Sequence, residues 1–168
     1  MKESPEFSFA SATTLPFLGR HLPLTVIPPE PGTPLFRLSD ERFELRRDGR
    51  DRGASLFADW CAAWLRPHIA SRLPGLAEKA GVTYSGFSVR TCRSRWGSCS
   101  ASGRLSFASG LAMAETDLIE YVLVHELCHR REMNHSSRFW NHVERLLPDW
   151  RSRRSRLREL SPLLRFFR

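Results

Sequence analysis

The sequence predicts an α+β fold, a small antiparallel sheet packed on a few helices. Three observations carry that expectation. Leu35–Leu38 and Phe43–Arg46 alternate apolar and polar residues at period two, as half-buried strands do. Leu56, Phe57, Trp60, Cys61, Trp64 and Leu65 recur at helical spacing, an aromatic stripe read as core rather than as a ligand platform. Leu118–Val124 is apolar nearly all round, as a buried helix is. With 168 residues, 41% of them hydrophobic, the chain is read as one domain. A domain of that size buries about 70% of its unfolded surface.

Taken in order, the first element is an extended or disordered segment over residues 1–18, because seven of the eleven prolines fall within residues 1–34. The domain itself is expected over 19–160, with a basic tail over 161–168. Leu22–Ile27 is a short strand that Pro28–Gly32 breaks. With Leu35–Leu38 and Phe43–Arg46 it predicts an antiparallel meander, closed by a turn at Asp48-Gly49. Ser55 is the expected cap of a long amphipathic helix, kinked at Pro67, interrupted at Pro74-Gly75 and ended by Gly81. Gly86–Cys92 reads as a strand, 95–103 as a run of turn formers, and Leu105–Phe107 as the returning strand of a hairpin. Within that run, Trp96-Gly97 marks either a close backbone approach or a packing corner.

The helix that follows is capped by Thr116 or Asp117, with Glu120 completing a box-like pattern. Arg130 and Arg131 suit its C-terminus, and Asn134 is a candidate left-handed stop. Ser136 or Ser137 then caps a second helix through Phe139, Trp140, Val143, Leu146 and Leu147. Pro148-Asp149 opens a third. Its thin apolar face of Trp150, Leu157 and Leu160 lies on the domain and its arginines lie in solvent.

Near the end of the buried helix stands His125-Glu126-Leu127-Cys128-His129, an H-E-x-x-H motif. Residues i and i+4 of a helix differ by about 40° and ~6 Å along the axis, so both imidazoles can face one point. Tetrahedral Zn²⁺ accepts them at roughly 2.0–2.1 Å. Glu126 is not spaced to ligate the same ion; it can reach a metal-bound water and take its proton. His135, held just ahead of the next helix, is the favoured third ligand, with Glu144 and His142 as competitors. Three histidines leave a position for water, the mark of a catalytic zinc site.

Charge and cysteines bound the setting. The net charge is +8, with 24 Arg and two Lys, and residues 151–168 hold +6 of it through seven Arg and one acid, Glu159. No run of 18 apolar residues exists, so no membrane span is expected, and the N-terminus has no signal-peptide pattern. Cys61, Cys92, Cys99 and Cys128 show no CxxC pairing, which predicts reduced thiols in a cytoplasmic protein, here a monomer. Cys92 and Cys99 could also join a second metal site.

Ser94-Arg95-Trp96-Gly97-Ser98-Cys99, then Tyr121–His129, then Asn134-His135-Ser136 to Phe139-Trp140 together closely resemble the YgjP-like metal-dependent hydrolase family, related to SprT-like zinc peptidases. The resemblance covers roughly Gly19 to Leu160. It implies a compact zincin-type metallopeptidase, with zinc on His125, His129 and His135 and Glu126 as base. The family often shows an Asn after the hairpin strand and a Pro before the zinc helix, where this chain has Ala108 and Ala114. The third-ligand distance also matches metzincins, but Glu132 stands at their usual glycine.

The expected function is therefore zinc-dependent hydrolysis of a protein or peptide substrate, with Arg95 and Ser98 as candidate oxyanion donors. Two alternatives are a DNA-associated protease, holding nucleic acid through the Arg-rich C-terminal segment, and a non-catalytic binding module with structural zinc.

Overall fold

The computed structural model describes residues 14–166. Residues 1–13, most of the expected N-terminal segment, and residues 167–168 of the tail lie outside the described residues.

The first layer is a four-stranded sheet. β1 (Thr14–Phe17) and β2 (Arg20–Ile27) form a hairpin whose turn residues, Leu18 and Gly19, have φ of 48° and 75°. Such a turn matches the right-handed twist of its strands. β3 (Phe36–Ser39) and β4 (Arg42–Arg46) form a second hairpin. The order is β1-β2-β4-β3, and β2 pairs with β4 in parallel. The expected meander is therefore corrected to a mixed sheet. A tight hairpin joins antiparallel neighbours across a few residues. Pro28–Leu35 instead puts four prolines into the eight-residue link between β2 and β3. Arg46 holds that link from the sheet, donating through Nη1 to the Thr33 carbonyl at 2.7 Å.

This sheet packs on α1 (Gly53–Ala80) through an aromatic cluster. Trp60 meets Phe43 edge-on at 4.9 Å and Phe17 at 5.1 Å between centroids, and Phe36 stacks on Phe43 at 5.4 Å. Each such pair contributes about 0.5–1.5 kcal/mol beyond its buried area. The stripe is core, as its spacing indicated. α1 also runs unbroken through Pro67 and Pro74. Both prolines and the residues four before them, Ala63 and Ala70, are exposed, on the solvent side where carbonyls without a helical partner cost least. On the opposite face Phe57, Cys61, Leu65, Ile69 and Leu73 are fully buried and anchor the helix along its length. Arg52, not Ser55, is its cap residue, and Ser55 donates back to the Arg52 carbonyl. Gly81 ends it in the left-handed conformation, φ 63°.

The second sheet is β5 (Gly86–Arg90), β6 (Gly97–Cys99) and β7 (Arg104–Ala108), in the order β5-β7-β6. β5 runs parallel to β7, so the expected hairpin is instead formed by β6 and β7. β6 was hidden among turn formers because three residues are too few for a period to show. A buried 3-10 turn, Ser109–Met113, then leads into α2 (Thr116–Cys128). Leu18 and Gly19 donate to the carbonyls of Ala112 and Met113, both at 3.0 Å, which ties the first sheet to the start of α2.

α3 (Ser137–Leu146), α4 (Trp150–Glu159) and a final 3-10 turn, Ser161–Phe166, complete the chain. Ser136 caps α3, accepting from the Phe139 N–H. The expected caps of α2 do not form. Glu115 occupies the cap position, and the acids are engaged by α4. Arg156 donates to Asp117 at 2.6 Å and pairs with Glu115; Arg153 donates to Glu120 at 3.1 Å, to Asp149 at 2.9 Å and to the Asp117 carbonyl. Arg151 meets Glu144 at 2.6 Å. Three of the arginines expected in solvent therefore have carboxylate partners. Among the described residues no helix is long and apolar enough to cross a membrane.

Candidate metal centre

α2 stops at Cys128, and the chain turns back through 129–136 to α3. Asn134 is not left-handed; its side chain accepts from the Ser136 N–H at 3.0 Å and so steadies the turn ahead of α3. This return brings His135 against the last turn of α2. A ring nitrogen from each of His125, His129 and His135 lies within 4.8 Å of the others, and Nε2 of His125 is 3.0 Å from Nε2 of His135. Tetrahedral zinc at about 2.0–2.1 Å per bond needs donors roughly 3.4 Å apart, so small ring adjustments would seat an ion.

The protonation states suit ligation. Nδ1 of His129 is 3.1 Å from the Glu132 carbonyl, which fixes the proton on Nδ1 and leaves Nε2 free toward the cluster. Burial, then the neighbouring His129 and His135, pull His125 down to about 3, so its imidazole is neutral. Burial lowers His129 as well.

α3 supplies the floor. The Phe139 ring lies 4.9 Å from His125, 4.5 Å from His129 and 4.8 Å from His135, centroid to centroid. Trp140 stacks beside His135 at 5.7 Å and on Trp150 at 4.2 Å. His135 is exposed, so this stack is what aims it. Sequence reading counted Phe139 and Trp140 as apolar helix positions and as part of the family resemblance, not as supports of the histidines; their offsets of four and five from His135 were the available signal.

Glu126 is 5% exposed, beside the cluster. Burial pushes its carboxyl up to about 8, against the pull of the Arg95 charge. A Cβ on Gly97 would stand 2.8 Å from both Cγ and Oε1 of Glu126. The glycine in Trp96-Gly97 is therefore a close-approach position, and what approaches is the candidate base. Arg95 lines the same cleft, about 530 Å³, together with Tyr121, Arg154 and Arg158. Ser98 lies instead in a neighbouring hollow with Arg90 and Ser106. Ala108 and Ala114 are buried packing positions.

The competing ligands are elsewhere. Glu144 pairs with Arg151, and His142 lines a hollow on the outer face of α3 with Arg138 and Asn141. Cys92 and Cys99 join no metal-type cluster among the described residues.

Known proteins extend this picture. A solved structure, the metallopeptidase zymogen of Pyrococcus abyssi abylysin, is similar at 24% identity, covering 51% of this chain and 90% of that chain with a TM-score of 0.45. No curated protein matches significantly. The profile of the YgjP-like metallopeptidase domain matches residues 1–160, nearly the whole sequence. The chain thus belongs to the YgjP-like metallopeptidases, metal-dependent hydrolases whose substrates are proteins or peptides.

Proposed function

We propose that this metallopeptidase is a zinc enzyme in which His125, His129 and His135 hold the ion and Glu126 is the general base. The observation that carries the reading is the buried Glu126 carboxylate, set beside three convergent imidazoles by a backbone with no side chain at Gly97. Bound there, Zn²⁺ would polarise the scissile carbonyl and acidify the attacking water to a pKa near 7.

The chain's own residues do the rest. Beside a cation bound at the histidines, the Glu126 carboxyl would be drawn back down and favour its ionised form, in which Glu126 takes the proton of the attacking water and returns it to the leaving amine. Burial of the Glu126 side chain limits competing solvation. The Glu132 carbonyl orients His129, and Phe139 closes the apolar side of the imidazoles. The free state of Cys61, Cys92, Cys99 and Cys128 supports a reducing, cytoplasmic setting.

The test compares wild type with Glu126→Gln in a peptidase assay with and without added zinc, with metal content measured alongside. The variant is expected to keep its metal and lose about 10²–10⁴-fold or more in turnover. Unchanged turnover would remove Glu126 from the chemistry.

A further inference from the structure

We propose that the cleft selects peptides carrying Asp or Glu side chains beside the cleaved bond, read by Arg95, Arg154 and Arg158. The proposal rests on the reading above that this cleft is where peptides are hydrolysed.

α4 divides its arginines by face. Arg153 and Arg156 point at α2 and are paired with Glu120, Asp149, Asp117 and Glu115, while Arg151 is paired with Glu144. Arg154, Leu157, Arg158 and Ser161 recur at i, i+3, i+4 and i+7, and all four line the cleft that contains His125 and Glu126. Arg95 joins them from the segment that leads into β6. Among the described residues no carboxylate pairs with any of these three guanidinium groups. Arg154 is nonetheless held in place, with its Cζ 4.7 Å above the Trp140 ring, a contact that orients the cation without neutralising it.

Three cations thus face a cleft whose acidic lining is Glu126 alone. Like charges gathered on one cleft focus the field into it. Guanidinium groups bind carboxylates in bidentate pairs that a neutral amide does not reproduce. The fold satisfies the α4 arginines that face α2 and α3 and leaves the cleft-facing ones without a carboxylate, open to a ligand. A peptide carboxylate fits better than a duplex, because the α4 arginines that could follow a phosphate backbone are spent on α2 and α3.

The experiment uses the zinc-loaded full chain with Glu126→Gln, so that ligand is bound and not consumed. Fluorescent peptide pools of equal length, carrying Glu and Asp, their Gln and Asn isosteres, or Lys, are titrated by anisotropy. An exposed charge pair contributes about two- to five-fold in affinity. The acidic pool is therefore expected to bind about ten-fold more tightly than the amide pool at low salt. Adding Arg154→Gln with Arg158→Gln should cut that margin to about two- to three-fold, the share of Arg95; Arg95→Gln should reduce it, and Arg151→Gln should leave it intact. Zinc content and Tm of each variant exclude damage to the site; Arg95→Gln is independent of the Trp140 stack.

Equal binding of acidic and amide pools overturns the proposal. So does equal competition by a DNA duplex at matched charge, which would make the arginines a general polyanion surface. Hydrolysis by wild type is followed in parallel. Cleavage without acid preference refutes only the specificity proposal, whereas acid preference without cleavage refutes only the reading of the cleft as a hydrolytic site.

Discussion

Gly97→Ala is the most direct perturbation of the contact between β6 and Glu126. The added Cβ would lie 2.8 Å from the Glu126 Cγ, where carbon atoms normally rest at about 3.5–4.0 Å. The deficit is roughly 1 Å. Neither element yields easily. β6 is fixed to β7 through Gly97↔Phe107 and Ser98↔Ser106, and α2 is buried along most of its length. The carboxylate itself must therefore move, and a misplacement of about 1 Å at a reacting group costs on the order of 10²-fold. Stability changes less. Gly97 does not have positive φ, so alanine gains about 0.4–1 kcal/mol from the unfolded state, against about 1–3 kcal/mol for overpacking. The net loss is at most about 2.5 kcal/mol, a Tm drop of no more than about 10 °C for a chain of this size. The assay is kcat/KM on any peptide the wild type cleaves, with zinc by elemental analysis and Tm by calorimetry. The expected result is a ~100-fold loss in kcat/KM at unchanged zinc content. Wild-type activity in G97A, or loss of zinc instead of activity, would refute the idea that Gly97 exists to seat Glu126.

Other outcomes follow from the same geometry. His135→Ala should lose zinc in elemental analysis, because Glu144 is bound to Arg151 and cannot substitute; full occupancy would remove His135 from the ligand set. Arg153→Gln should lower Tm by about 2–10 °C, since its guanidinium is 14% exposed and serves two carboxylates and a carbonyl, whereas Arg158→Gln should leave Tm within about 2 °C; the reverse order would undo the division of α4 into structural and cleft-facing arginines. In thiol labelling of the native protein, Cys92 should react first. Partial burial raises its pKa, but hydrogen bonds from the Ser94 and Arg95 backbone outweigh that and lower it, while burial pushes Cys128 up to about 12 and Cys61 higher still. Fast labelling of Cys61 without unfolding would contradict its burial.

The candidate site is written locally, and that is why most of it was legible in the sequence alone. His125, Glu126 and His129 fall on one turn of a helix, so helical geometry relates them without any long-range contact, and His135 follows within the next connection. The core of α1 was legible for the same reason, because an i, i+3, i+4 stripe of large apolar residues is a local pattern. Strand partners are not local. Nothing in Leu22–Ile27 specifies that β4 rather than β3 lies beside it, or that β5 joins β7 in parallel, because pairing depends on which surfaces the helices cover. The prolines of α1 show the same limit: local propensity breaks the helix, and the burial of Leu65, Ile69 and Leu73 overrides it. Only the tertiary structure told the arginines of α4 apart. Their sequence is a uniform basic run, and its division into clamps on α2 and open cations in the cleft depends on where Asp117, Glu120 and the hairpin before α2 stand in space. Gly97 was ambiguous for a related reason: a missing side chain has meaning only once the residue that fills its place, Glu126, is known.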